Sequence, residues 1–426
     1  MLKPTIFSIL LAAGTFTASA KYVTKISGTV DISLGTDTVM VIEDSAHPFF
    51  DRKWIIPVTD GKFSQEIETD HPMACYFIPM NQIRWWSYNW RFIADGGDVN
   101  VTATKMGDEP TAVLDFSGPL SVKLRDFANS LYESPEAVAL QSFADSVYAV
   151  NGEYQPEYRQ LYIAAENEQD REKVKRLNAS MDSLAALGLK DSEDGRIISE
   201  GFKALRKKGM VDKINFIAGD TSYVGLYLIA QLMWTSHQHS DSDIDKVIEI
   251  YTQRYTDVCP GHPYHAELKA AVEVRNSGGI KVGGKYIDVE ALDADGKMKK
   301  ISTVIDGKVA IIDLWASWCS PCRRNSIAMK PIYERFAPEG LAIVGIGREM
   351  ENDAAMRKAV KKDGYPWVTL AEINDGNYIW AKYGTASAPG RIVLVDHEGT
   401  IVAIDPSIEE LERLIPGLLE KMNVRQ

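Results

Sequence analysis

Two cysteines three residues apart, Cys319 and Cys322, stand in the stretch Trp315-Ala316-Ser317-Trp318-Cys319-Ser320-Pro321-Cys322-Arg323. The run before it, Val309 to Leu314, is short, apolar and rich in β-branched residues, which predicts a buried strand. After it, Arg323 to Phe336 carries Ile332, Tyr333 and Phe336 at helical spacing. The pair therefore falls where a strand gives way to a helix, and two thiols on a first helical turn lie close enough to join as a disulfide. Pro321 costs little there, because its missing N–H would have no intrahelical partner. Cys319 lies nearest the unpaired N–H groups and positive end of the helix, with Arg323 and Arg324 close by, an arrangement that stabilises a thiolate. Cys322, one turn inside, is expected to be the more protected sulfur and to resolve a mixed disulfide formed at Cys319. The chemistry is thiol–disulfide exchange.

The elements that must hold this pair follow a Gly-rich joint, Ser277-Gly278-Gly279 and Gly283-Gly284. Ile287 to Leu292 and Met298 to Val304 read as a hairpin turning at Asp295-Gly296. Leu341 to Ile346 predicts a second buried strand, ending at Gly347. Asn352 or Asp353 can cap a helix from Ala354 to Val360 that stops by Gly364. Asp375 to Tyr383 suggests another helix, ending at Gly384. Arg391 to Val395 and Thr400 to Ile404 make a second hairpin, and Ile408 to Met422 a closing helix with a break near Pro416. Strands alternating with helices, then a hairpin and a helix, predict an α/β sheet with a mixed edge over 281–426.

The chain has 426 residues, enough for two or three domains. Residues 1–20 read as a signal peptide: Lys3, an apolar run from Ile6 to Ala13, and Ala18-Ser19-Ala20 before Lys21. The stretch between Pro4 and Thr17 is short for a membrane span, and no span is expected in the mature chain. The mature chain, without Lys3, carries 46 basic and 59 acidic residues, a balance that disfavours nucleic acid and anionic membrane as partners. Cys75 and Cys259 are isolated in sequence and are expected to be small buried apolar residues, with a bridge between them as the lesser alternative.

Residues 21–117 predict a β-sandwich, with short alternating runs at Val23–Ile32, Val39–Ile42, Trp54–Val58 and Met73–Ile78. Trp85, Trp86, Tyr88, Trp90 and Phe92 crowd one segment, read as a core strand with an inter-domain contact in preference to a sugar or peptide platform. Residues 118–280 predict a helical domain and linker. Leu120, Leu124, Phe127 and Leu131 form one packing stripe, Val174, Leu177, Met181, Leu184 and Leu187 a second, Ile244, Val247, Ile248, Tyr251 and Tyr255 a third. Val224 to Trp234 is apolar nearly all round and reads as a buried helix. Asp241, Asp243 and Asp245 after His237 and His239 invite a metal reading, but Lys246 and Thr252 fall where a calcium loop needs Gly and Glu. Capping and charging the start of a helix near Ile244 suits them better. His262 and His265 are expected at the surface, and no metal or cofactor is implied.

Residues 281–426 resemble the thioredoxin superfamily, and within it the exported TlpA/ResA-like thiol–disulfide oxidoreductases. The likeness rests on Asp313 to Arg323, then on Tyr383-Gly384 followed by Pro389. It implies a cis Pro389 facing the disulfide, with the Ala388 backbone offered to an extended substrate, and a substrate-facing surface at Trp318, Pro321, Ala388 and Pro389. Where ResA-like reductases carry Glu, three residues after the second cysteine, this chain has Asn325. Asp313 takes the place of the thioredoxin acid six residues before the first cysteine, and burial should raise its pKa so that it accepts the Cys322 proton. A family proline is replaced by Ile327, with Pro331 a turn later, so any helix kink should move. The resemblance implies a periplasmic or envelope reductase of disulfide-bearing envelope proteins, recharged by a membrane electron donor of the DsbD/CcdA kind. Two rivals use the same residues: a thiol peroxidase, against which Ala316 stands where a Thr is usual, and a peptide- or glycan-binding module with a secondary redox switch. A copper relay lacks a histidine near the thiols, since His397 lies in a hairpin turn and is expected to be exposed.

Overall fold

The structure is a computed structural model that describes residues 22–45, 52–79, 90–106, 109–276, 278–385 and 390–424. The chain divides into two compact units, residues up to 43 with 53–122, and residues 44–52 with those from 123 onward.

The first unit is all-β. Its strands are β1 (Tyr22–Val30), β2 (Thr38–Glu43), β3 (Lys53–Pro57), β4 (Lys62–Thr69), β5 (Met73–Pro79), β6 (Arg91–Ala94), β7 (Val99–Met106) and β8 (Glu109–Phe116). They form two four-stranded sheets, ordered β4-β1-β7-β8 and β3-β2-β5-β6. Alternation turns Phe63 and Ile67 of β4 and Val39 and Val41 of β2 into one shared apolar core. Phe92 belongs to that core and Trp90 packs on its edge, 6.4 Å from the Phe77 ring. Trp85, Trp86 and Tyr88 lie outside the described residues, as does the expected signal peptide.

The second unit begins with helices α1 (Pro119–Tyr132, its first residues shared with the β unit), α2 (Pro135–Tyr148), α3 (Pro156–Glu166), α4 (Arg171–Ala186), α5 (Glu193–Gly219), α6 (Tyr223–Trp234), α7 (Asp241–Arg254) and α8 (Tyr264–Asn276). Every residue of α6 except Gln231 is buried. On α7, Ser240 is the N-cap and accepts the Asp243 N–H, while Asp241 and Asp243 fill the first turn; the helix starts earlier than Ile244. Asp241 and Asp245 both pair with Arg275. The α4 stripe is shallower than its spacing suggests, since Met181 alone is buried within α4 and Leu187 is 72% exposed.

Two expectations need correction here. His262 and His265 are buried, not at the surface. His262 Nδ1 accepts the Tyr264 N–H, and the His265 ring bridges the Tyr251 hydroxyl and the Val258 carbonyl, partners that make burial of an imidazole affordable. Cys75 is buried as expected, but Cys259 is half-buried and adopts a positive φ in the turn before α8; both stand as thiols.

The C-terminal part runs β9 (Glu290–Leu292), β10 (Met298–Lys300), α9 (Ser302–Ile305), β11 (Val309–Trp315), α10 (Ser320–Phe336), β12 (Leu341–Glu349), α11 (Ala354–Asp363), β13 (Val368–Ile373), α12 (Ile379–Lys382), β14 (Arg391–Val395), β15 (Ile401–Ile404) and α13 (Ile408–Val424). The sheet order is β10-β9-β13-β12-β11-β14-β15. β11 is parallel to β12 and antiparallel to β14, so it lies inside a mixed sheet where parallel pairing gives way to antiparallel. Its residues alternate between two cores. Val309, Ile311 and Trp315 face α10, α11 and α13, and Ala310, Ile312 and Leu314 face α9 and α12. Parity puts Asp313 on the α10 side.

Several boundaries differ from expectation. Val304 lies in α9, not in a strand, and β12 continues past Gly347 to Glu349. Asp375 to Tyr378 form a turn with Asp375 and Tyr378 at positive φ, leaving only the short α12. The closing helix passes through Pro416 unbroken, and α10 likewise through Pro331. A proline removes one ladder bond, and the buried faces of both helices outweigh that loss.

Candidate redox site

Cys319 is the N-cap of α10, and Pro321 and Cys322 occupy its first turn. The two cysteines form a disulfide, with Cα atoms 5.3 Å apart. Cys319 Sγ accepts the Cys322 backbone N–H at 3.2 Å, so one of the unpaired donors of the helix start is aimed at this sulfur. The order of exposure is the reverse of expectation in this oxidised form. Cys319 is 4% exposed, whereas Cys322 is partly exposed. The reason is local: the Cys319 sulfur folds over the helix start onto an amide, and Cys322 borders a cavity of about 240 Å³. Asp313, Pro321, Asn325, Gly390, Arg391 and Asp405 also line that cavity.

Trp318, Pro321 and Asn325 are all exposed. Trp315 is fully buried, its ring edge-on to Tyr365 at 5.2 Å. Ala388 and Pro389, the other expected substrate contacts, lie outside the described residues. Gly390 follows them at the site. A Cβ there would meet the Leu314 carbonyl oxygen and stand 2.9 Å from Cys322 Sγ, so only glycine fits between β11 and the disulfide.

Asp313 is buried beneath α10, and the Ser326 hydroxyl donates to its Oδ2 at 2.7 Å. Burial pushes the carboxyl up to about 7, against the opposing pull of the Ser326 hydrogen bond. Strand parity and the helix start thus put a raised carboxyl and Cys322 on one small cavity.

The arginines behave differently from expectation. Arg323 forms a two-pronged ion pair with Asp363 at the end of α11 and donates to the Ser317 carbonyl at 3.2 Å. This hydrogen bonding holds Asp363 below the usual carboxylate range. Arg323 therefore anchors the loop between β11 and α10, and its charge is already matched. Arg324 is exposed.

Four residues at the site escaped sequence reasoning: Ser326, Glu349, Tyr365 and Gly390. Glu349, at the end of β12, accepts from the Ser317 N–H at 3.0 Å and from the Ser317 hydroxyl at 2.9 Å. Burial raises its pKa, with the two Ser317 bonds opposing. Only Gly390, directly after the proline singled out at 389, carried a signal that could have been read. His397 is half-buried, not exposed. Among the described residues no three His, Cys, Asp or Glu side chains gather as metal ligands, and no helix is long and apolar enough to cross a membrane.

A larger cavity of about 550 Å³ lies between α6, α7, α8 and the α12–β14 edge, lined in part by Glu267, Arg275, Tyr383 and Gly384. Arg391 borders both cavities and donates to the Tyr383 carbonyl at 2.6 Å.

Residues 282–404 match the AhpC/TSA family model. The chain is 24% identical over 143 residues to the thiol-disulfide oxidoreductase ResA of Bacillus anthracis, covering 34% of this chain and 79% of that one. It is 32% identical over 100 residues to the thiol:disulfide interchange protein HelX of Rhodobacter capsulatus, covering 23% of this chain and 51% of HelX. Among solved structures it is similar to the thioredoxin domain of a thiol-disulfide oxidoreductase from Bacteroides vulgatus, with 23% identity, a TM-score of 0.30, and coverage of 32% of this chain and 99% of that one. The C-terminal third of the chain is a thioredoxin-like domain whose relatives include thiol–disulfide oxidoreductases of the ResA kind.

Proposed function

We propose that the chain is an exported dithiol–disulfide oxidoreductase that reduces disulfides of envelope proteins through Cys319 and Cys322. The observation that carries this reading is the disulfide at the start of α10 with Asp313 buried beside it. In the reduced form the Cys319 thiolate, favoured by the helix start, attacks one sulfur of a substrate disulfide. A Cys319–substrate bond forms and the other substrate sulfur leaves as a thiolate, which takes a proton from water. Cys322 then gives its proton to the Asp313 carboxylate and attacks Cys319 Sγ. The mixed bond breaks, the Cys319–Cys322 disulfide forms, and the second substrate thiolate departs. Two electrons pass to the substrate, and a membrane dithiol donor of the DsbD/CcdA kind restores the reduced pair. Trp318 and Pro321 are exposed and would meet the substrate, and the resemblance adds Ala388 and Pro389 as further contacts.

Direction is decided by reduction potential, where about 30 mV corresponds to ~1.4 kcal/mol for a two-electron couple. Equilibration with glutathione is expected to give a potential on the reducing side of glutathione, and a value near that of DsbA would overturn the reductase assignment. In the envelope of the native cell, Cys322→Ser should accumulate mixed disulfides on Cys319. Their absence under conditions that trap known exchange proteins would overturn the exchange reading itself.

A further inference from the structure

Helix α5 carries a local charge opposite to that of the chain. The whole sequence holds 47 basic against 59 acidic residues, whereas residues 203–213 set Lys203, Arg206, Lys207, Lys208 and Lys213 against Asp212 alone. Lys203, Arg206 and Lys207 fall at i, i+3 and i+4, so their side chains share one face of the helix. All three are exposed, and among the described residues none of them enters an ion pair. Lys208 differs, since Asp212 holds it at 2.7 Å.

These cations line a cleft of about 740 Å³ that lies within the second unit. Leu131 and Tyr132 at the end of α1, with Ala137 of α2, form a second wall, and His239 and Asp243 at the start of α7 a third. Tyr132 is 66% exposed, so a large aromatic ring borders the cleft with most of its surface uncovered. Asp243 accepts from the Ser240 hydroxyl at 2.7 Å and lies 3.8 Å from Lys246 Nζ, so its charge is answered within α7. Gly209 also borders the cleft, and nothing stands within 4 Å of a Cβ placed there. Glycine inside a helix is unfavourable relative to alanine, and no neighbour requires it at this position. What the missing side chain provides is room in the cleft.

We propose that this cleft is a docking site for an acidic, aromatic-bearing segment of another protein. Carboxylates of the segment answer Lys203, Arg206 and Lys207, and an aromatic or apolar side chain covers Tyr132. A cleft with three walls suits a length of polypeptide better than it suits the plane of a bilayer. The acidic balance of the whole chain also opposes an anionic membrane or a nucleic acid. The volume falls among ligand-sized sites, ~300–1,000 Å³, and so takes a short segment, not a folded domain. Docking here needs no covalent or electron-transfer step and does not depend on Cys319 or Cys322.

The test measures binding of a short fluorescein-labelled peptide of alternating Glu and Tyr to the full chain by fluorescence anisotropy. Raising salt from about 0.01 to about 0.15 M shortens the Debye length from ~30 to ~8 Å and should weaken binding several-fold. Reversing the three charges together, as Lys203→Glu, Arg206→Glu and Lys207→Glu, should weaken it about tenfold or more. Gly209→Leu separates loss of the site from loss of the fold. It should raise the denaturant midpoint through helix propensity and still weaken binding by filling the cleft. The matching peptide of Lys and Tyr should not bind. A parent chain that ignores the acidic peptide overturns the proposal, as does equal affinity in the parent and the triple variant, or undiminished binding in Gly209→Leu. Preference of the parent for phosphatidylglycerol vesicles or ATP, lost in the triple variant, assigns the cations to a headgroup or phosphate and overturns a polypeptide occupant. Self-association abolished by the triple variant does the same in favour of a second copy. Thiol exchange at Cys319 should be unchanged in every variant, so a failure of the exchange reading leaves this result standing.

Discussion

Arg323 and Asp363 face each other through two parallel hydrogen bonds, Nε to Oδ2 and Nη2 to Oδ1, each 2.7 Å long. The pair joins the first turn of α10 to the end of α11, and the same guanidinium holds the Ser317 carbonyl. A guanidinium matched in this way contributes little net field at the neighbouring sulfur, whereas the Cys322 N–H points at it directly. Replacing Arg323 by Met should therefore leave the Cys319 thiol pKa of the reduced protein within about half a unit. Stability should fall by about 1–3 kcal/mol, because Asp363 is left without its partner. Titration of thiolate absorbance checks the first outcome and denaturant unfolding the second. A rise of a full unit in the thiol pKa would show that the arginine charge acts on the sulfur after all. Asp363 is held below its unfolded value, so the stability this pair supplies is present above the ordinary carboxylate range and is lost as pH falls through the depressed folded value.

Asp313 gives the opposite slope. Its folded pKa is about 7 and an unfolded aspartate titrates near ~3.9. Between those values the folded chain binds the proton and the unfolded chain has lost it, so stability falls as pH rises through that window. A shift of this size is worth on the order of 4 kcal/mol, at one pKa unit per ~1.4 kcal/mol. Asp313→Asn should remove that slope and be the more stable protein at pH 8, while release of substrate from Cys319 becomes slow. Denaturant midpoints of parent and variant across pH 4 to 8 check the sign. Parallel curves would mean that Asp313 stays ionised in the folded protein.

The contrast between Asp313 and Ser326 shows what could be read in the residues alone. Asp313 was legible because the resemblance to thioredoxin places an acid six residues before the first cysteine, and the apolar β-branched run around it marks a buried strand. Ser326 was not, because a helix of uncertain start leaves open which residue of its second turn meets that carboxyl. Glu349 was missed because β12 was expected to end at Gly347, two residues short of the glutamate that holds Ser317. β13 escaped because Val368 is exposed and Thr369 polar, and only its pairing with β12 and β9 makes it a strand. β4 was hidden in a similar way, since Lys62 to Thr69 carries just Phe63 and Ile67 as inward apolar residues. The exposure of the two sulfurs was misjudged because depth along a helix says nothing about which sulfur folds over its first turn.

Gly390 is constrained from two sides, by the Leu314 carbonyl and by Cys322 Sγ. A methyl group there must displace either β11 or the disulfide, and backbone yields less readily than a side chain. Gly390→Ala should cost about 1–3 kcal/mol of stability by overpacking and slow disulfide formation between Cys319 and Cys322 at least tenfold. Rates of intramolecular disulfide formation in the reduced variant provide the measurement. An unchanged rate would mean that the strand after residue 389 can retreat from Cys322 freely.

Glu349 and Ser317 provide the last test, because acceptor geometry and charge can be separated there. Glu349→Gln keeps an oxygen for the Ser317 N–H, and the Ser317 hydroxyl can turn to accept from the new amide. Glu349→Ala leaves a partly buried N–H and hydroxyl without acceptors, at a cost of about 1–3 kcal/mol, and frees the loop that carries Trp318 into Cys319. The glutamine variant should match the parent in stability and exchange rate. The alanine variant should show faster amide hydrogen exchange over residues 316–319 and weaker binding of a disulfide-bearing peptide. Equal losses in both variants would assign the role of Glu349 to its charge, since burial already works against keeping that carboxylate ionised.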